Sequence, residues 1–88
     1  MFRTVSHLAA PSFWKCYHRL PKKTQELADA NFALLKQSPR HPSLHLKKVS
    51  RFWSVRVGSH YRAKGVDSPK GIVWFWIGTH EAYNKLMR

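Results

Sequence analysis

The six-residue run Ile72-Val-Trp-Phe-Trp-Ile77 limits what this chain can fold into more than any other segment. It is apolar at every position, too short for a buried helix, and closed by Gly71 and Gly78. Such a run is expected to be a central strand buried on both faces. The residues before it supply partners. From Phe52 to Lys64 the pattern alternates, with Trp53, Val55 and Val57 facing one way and Ser54 and Arg56 the other. Gly58–Ser59 allows a bulge or a tight connection. Beyond it Tyr61 and Ala63 oppose His60, Arg62 and Lys64. Asp67-Ser-Pro-Lys-Gly71 has the composition of a turn, so an antiparallel meander follows. Thr79 is placed to N-cap a last short helix, His80 to Met87.

The first half of the chain has a different period. Phe13, Cys16, Tyr17 and Leu20 fall on one helical stripe after Pro11–Ser12. Pro21 ends that helix and opens a second, expected from about Lys22 to Gln37, with Leu27, Asn31, Leu34 and Leu35 on one face. Ser38–Pro39 stops it. Residues Met1 to Ala10 read as a short edge strand or an arm, with Phe2, Val5 and Leu8 as anchors. Helices and strands are segregated, so the class is α+β: two N-terminal helices packed on a small twisted antiparallel sheet, with a short C-terminal helix. The 88 residues hold one core, so residues 1–88 are expected to be a single domain.

Composition then narrows the function. Sixteen Lys and Arg stand against four acids, a net charge of +12. No acid occurs from Ala30 to Val66, where eight of the basic residues lie, Arg51 and Lys64 among them. One-sided charge of this kind attracts polyanions or an acidic protein. The longest uncharged apolar stretch falls well short of the roughly 20 residues of a membrane span. The N-terminus lacks the pattern of a secretion signal, so the cytoplasm is the expected location. Cys16 is the only cysteine, expected as a small buried hydrophobe, and the six histidines lack metal-ligand spacing. No metal, organic cofactor or small-molecule substrate is expected.

His80 and Tyr83 share a face of the last helix, which starts where the central strand ends. Arg62 lies on the neighbouring strand, with Lys47 and Lys48 ahead of the meander. These residues are expected to converge at one sheet edge. Cleavage of RNA by side chains alone requires a proton taken from the 2′-hydroxyl, a proton given to the 5′-oxygen and stabilisation of the phosphorane. Histidine can move the protons, and arginine and lysine can hold the phosphate. Tyrosine can stack on a splayed base. Arg56 is a weaker phosphate contact, and Arg51 and Lys64 extend the RNA-binding surface. Trp53, Trp74, Phe75 and Trp76 are core residues first and stacking platforms second.

Phe52-Trp-Ser-Val-Arg-Val-Gly58, His60-Tyr-Arg-Ala63 and Trp74-Phe-Trp-Ile-Gly-Thr-His-Glu-Ala-Tyr83 resemble the RelE/ParE toxin superfamily of bacterial type II toxin–antitoxin systems. The ending Gly78-Thr-His-Glu-Ala-Tyr83 is similar to its HigB-type branch, although Asn84 stands where an acid is common there. The resemblance implies a ribosome-dependent endoribonuclease acting on translated mRNA, neutralised by a cognate acidic antitoxin. It maps Arg62 onto the arginine of the family's Tyr-Arg strand, Lys47 and Lys48 near the basic residues ahead of that strand, and His80 and Tyr83 onto the C-terminal active-site segment. The ParE branch shares the fold but inhibits DNA gyrase by binding, and a non-catalytic module that binds RNA or antitoxin is a third reading.

Overall fold

The computed structural model describes residues 6–86, so the anchors Phe2 and Val5 and the helix end at Met87 lie outside the described residues. The chain runs β1 (Ser6–Ala9), α1 (Pro11–Tyr17), α2 (Lys22–Gln37), β2 (Lys47–Val49), β3 (Phe52–Val57), β4 (Tyr61–Ser68), β5 (Gly71–Thr79) and α3 (His80–Leu86). The five strands form one sheet in the order β1-β5-β4-β3-β2. The meander is antiparallel as expected, but β1 pairs with β5 in parallel and makes one edge.

The second helix has the bounds the prolines imply. Pro21 precedes it, and the Ser38 amide closes it on the Leu34 carbonyl. Its buried side chains are Ala28 and Leu35, with Asn31 and Phe32 half-buried, while Leu27 is largely exposed. Leu27 instead lies against the β3–β4 turn. A Cβ on Gly58 would come within 2.5 Å of its Cδ2, and Gly58 has φ +64°, so glycine satisfies both the turn and the close approach.

Helices α1 and α2 cover one face of the sheet. Phe13, Ala28 and Leu35 pack there against Val55, Val57, Ala63, Ile72, Trp74 and Ile77. Leu44, fully buried in a 3-10 turn at Pro42–Leu44, ties the proline-rich loop to this core. Cys16 is only partly buried, at the edge of the core. Along β5, Ile72, Trp74 and Ile77 face the core, but Val73, Phe75 and Trp76 on the other side are only half-buried. The strand is therefore interior yet covered by helices on one face, and β4 is the middle strand. A bulge opposite Lys64–Gly65 leaves Phe75 without a partner and brings Ile77 back to the core side. No described helix is long and apolar enough to cross a membrane.

Candidate functional site

The second face of the sheet, opposite α1 and α2, carries most of the residues singled out from the sequence. The β3–β4 hairpin aligns Arg56 with Arg62, so both project from this face. The next aligned set is Lys47, Ser54, Lys64 and Trp76. Of the bulge or tight connection that Gly58–Ser59 allows, the structure has the tight connection, a hairpin turn, and the basic residues on β3 and β4 keep to one side.

Helix α3 brings its side chains to Arg62. Thr79 Oγ1 accepts a hydrogen bond from the Ala82 amide at 3.1 Å, the cap expected from the sequence. The His80 amide donates to the His60 carbonyl at 2.8 Å and fixes the start of the helix to the β3–β4 turn. Arg62 Nε then donates to His80 Nδ1 at 2.7 Å. An arginine N–H has no acceptor role, so Nδ1 holds its lone pair there and the neutral ring carries its proton on Nε2. The Arg62 guanidinium lies 5.5 Å from the centre of the Tyr83 ring, and Tyr83 packs against Trp76 at 6.4 Å. Tyr83 is only 7% exposed, so its ring supports Arg62 instead of presenting an open face. Arg62 Nη1 is buried without a hydrogen-bond partner. The residue as a whole is half-buried, and an unmet, enclosed donor on its guanidinium is costly, which marks it as capacity for an anion.

The two lysines separate. They lie in a short edge strand that the sequence reading missed, and successive residues of a strand point to opposite faces. Lys47 stays on the face of Arg62. Lys48 turns to the other, where its Nζ meets Asp67 Oδ2 at 2.6 Å and Trp53 Nε1 donates to Asp67 Oδ1 at 2.8 Å. These hydrogen bonds, that from Lys48 first, hold the Asp67 carboxyl below its usual range. Arg51 sits exposed in the β2–β3 turn, 5.5 Å from the Phe52 ring. Lys64 is the departure from a solvated stripe: it is 5% exposed, with its Nζ 4.1 Å from the centre of the Phe52 ring. Lysine reads as exposed in any sequence, so its burial, like the role of Phe52, gave no signal there.

A cleft of about 1220 Å³ opens on the helix side near His7, Lys36, Arg40 and Lys70. None of the predicted catalytic or phosphate-binding residues lines it, although Trp53 does. Among the described residues no group of three or more His, Cys, Asp or Glu is arranged to hold a metal ion.

Comparison with known proteins gives the same outline. The model of the ParE-like toxin domain family matches residues 22–85. No individually curated protein matches the chain. Among solved structures, the RelB–RelE antitoxin–toxin complex from Methanococcus jannaschii superposes with a TM-score of 0.70 at 16% identity, covering 92% of this chain and 99% of that one. The isolated E. coli RelE toxin gives 0.61 at 15%, covering 94% and 95%. The YoeB/ParE toxin from Agrobacterium tumefaciens gives 0.63 at 16%, covering 85% and 98%. At these identities the superpositions establish a RelE-like fold, and the family match places the chain in the ParE-like toxin domain family of the RelE/ParE toxin superfamily.

Proposed function

We propose that this toxin is an endoribonuclease that cuts translated mRNA on the ribosome, with Arg62 and His80 at the scissile phosphate. The observation that carries the reading is the Arg62–His80 hydrogen bond beside the unpartnered Nη1. Arg62 offers its fork to the phosphate oxygens and, on turning to them, releases His80 Nδ1 to take the 2′-hydroxyl proton. His80 Nε2–H is the ring's donor in the neutral state and lies on the opposite side of the imidazole, suited to the 5′-oxygen. Tyr83 positions Arg62 by stacking, and Lys47 and Arg56 add positive charge along the same face.

An acidic, amphipathic antitoxin fits the net charge of +12. Solved relatives from Methanococcus jannaschii, Pyrococcus horikoshii and Mycobacterium tuberculosis are toxin–antitoxin complexes. The match to a ParE-like family keeps one further reading, the inhibition of DNA gyrase by binding that the resemblance to the ParE branch implies. Purified toxin is to be assayed in parallel on a ribosome-bound mRNA and on gyrase supercoiling. Cleavage that is lost in both Arg62→Met and His80→Gln supports the ribonuclease. Inhibited supercoiling with intact mRNA replaces it with the gyrase reading.

A further inference from the structure

The face opposite α1 and α2 continues past α3 and the basic residues into an apolar row. Val49, Phe52, Val66, Val73 and Leu8 align across all five strands, one residue from each. Leu8 is 40% exposed, Val49 is exposed, and the other three are half-buried. Phe75, set out of register by the bulge, lies 6.0 Å from Phe52. Two cations bracket the Phe52 ring, Lys64 and Arg51. Among the described residues the sheet's one acid, Asp67, is turned to the other face and held by Lys48. Cations around a half-open aromatic pair, with no carboxylate among the described residues of that sheet face, suit a nucleobase whose own phosphate needs neutralising.

The spacing ties this platform to Arg62. The sets led by Arg62, by Lys64 and by Phe52 follow one another at two-residue steps, about 6.5 Å each along the strands. That is the scale of one step of an extended nucleic-acid backbone. Lys64 and Lys47 flank the buried Ser54, whose Oγ has no hydrogen-bond partner. An anion above this pair would draw the Lys64 ammonium off the Phe52 ring and leave the ring to a base.

We infer that the sheet face holds a second nucleotide subsite of single-stranded RNA, with Lys64 and Lys47 on the phosphate next to the scissile one and Phe52 with Phe75 stacking its base. The inference rests on the proposed cleavage site only for its register. Subsite occupancy is measurable without cleavage.

The test is binding of the full chain to fluorescein-labelled DNA hexanucleotides, which lack the 2′-hydroxyl and are not cut. One is intact, and the others carry a single abasic position scanned along the strand. In the wild type, one abasic position should weaken binding roughly tenfold, the scale of one lost base stack. In Phe52→Leu the intact and abasic strands should bind alike, and Lys64→Met should lower the salt slope by about one ion. A flat abasic scan in the wild type, or no binding of the intact strand, overturns the subsite whatever Phe52→Leu does to folding. An abasic penalty unchanged in folded Phe52→Leu places the base elsewhere and also overturns it. A flat scan together with competition by an acidic amphipathic peptide makes the row a protein-docking surface instead. Loss of mRNA cleavage with the abasic pattern intact would reject the proposed ribonuclease and leave the subsite standing.

Discussion

Arg62 Nε donates to His80 Nδ1 at 2.7 Å across the junction of β4 and α3, and this one contact joins the cation of the sheet to the titratable group of the helix. The charge of Arg62 alone does not make it: a planar N–H at a fixed angle is required. Arg62→Lys keeps the charge but loses the fork and the contact. Cleavage by this variant should fall by about a hundredfold, the scale for one preorganised donor at a developing oxyanion. Its urea midpoint should stay close to that of the wild type. Single-turnover rates on ribosome-bound message and urea titration measure the two effects.

Lys47 and Lys48 are adjacent in sequence and opposite in the sheet, so they should differ in function. Lys47→Ala should weaken RNA binding several-fold and reduce its salt slope by about one. Lys48→Ala should leave binding unchanged. It should instead remove the partner that lowers Asp67, a group with a depressed folded value. Such a carboxylate contributes stability above its unfolded value, and that contribution is lost as pH falls through the folded one. Lys48→Ala should therefore be slightly less stable than the wild type at neutral pH, and the difference should shrink towards pH 2. Electrophoretic shift and urea titration at both pH values check this.

Trp74 Nε1 donates to His7 Nδ1 at 3.1 Å, tying the parallel edge strand β1 to the core. Burial, and then the charge of Lys36, hold His7 below its ordinary value of 6.5. In the window between the two values the unfolded chain binds more protons than the folded one, so stability rises with pH there. The wild type should lose stability as pH falls below about 6.5. His7→Gln, which keeps an acceptor for Trp74, should flatten that part of the curve. Thermal midpoints measured from pH 7.5 to pH 5 separate the two.

Gly65 lies at the bulge with its core side filled. A Cβ there would meet Ile72 Cγ2 and Trp74 Cε3 at 2.9 Å and the Val73 carbonyl oxygen at 3.0 Å. Gly65→Ala should cost about 1–3 kcal/mol, the range for overpacking a well-filled core. Chemical denaturation of the variant and the wild type gives the difference directly.

Local rules were enough where one residue decides the outcome. Pro21 and Ser38–Pro39 bound α2, Thr79 caps α3, and the alternation along β3 and β4 sets which residues share a face. The grouping of Arg62, His80 and Tyr83 followed from the order of strand and helix alone, although Arg62 lies on the middle strand and not at the sheet edge expected. Features that depend on the far side of the sheet were not legible. The parallel pairing of β1 with β5 joins residues more than sixty positions apart. The strand holding Lys47 and Lys48 is only three residues long and exposed throughout, so it has no hydrophobic alternation to mark it. The bulge at Phe75 interrupts a run that is apolar at every position, where no pattern distinguishes one register from another. Tyr83 was expected to stack on a base, but packing on Trp76 and Arg62 buries it.

The most direct measurement is the mapping of mRNA 5′ ends in a bacterial host within minutes of inducing the toxin, beside Arg62→Lys and His80→Gln. Ribosome-dependent cleavage through Arg62 and His80 gives new 5′ ends in a fixed frame within translated codons for the wild type and none in either variant. Growth arrest without new ends, or new ends that persist in both variants, would contradict it.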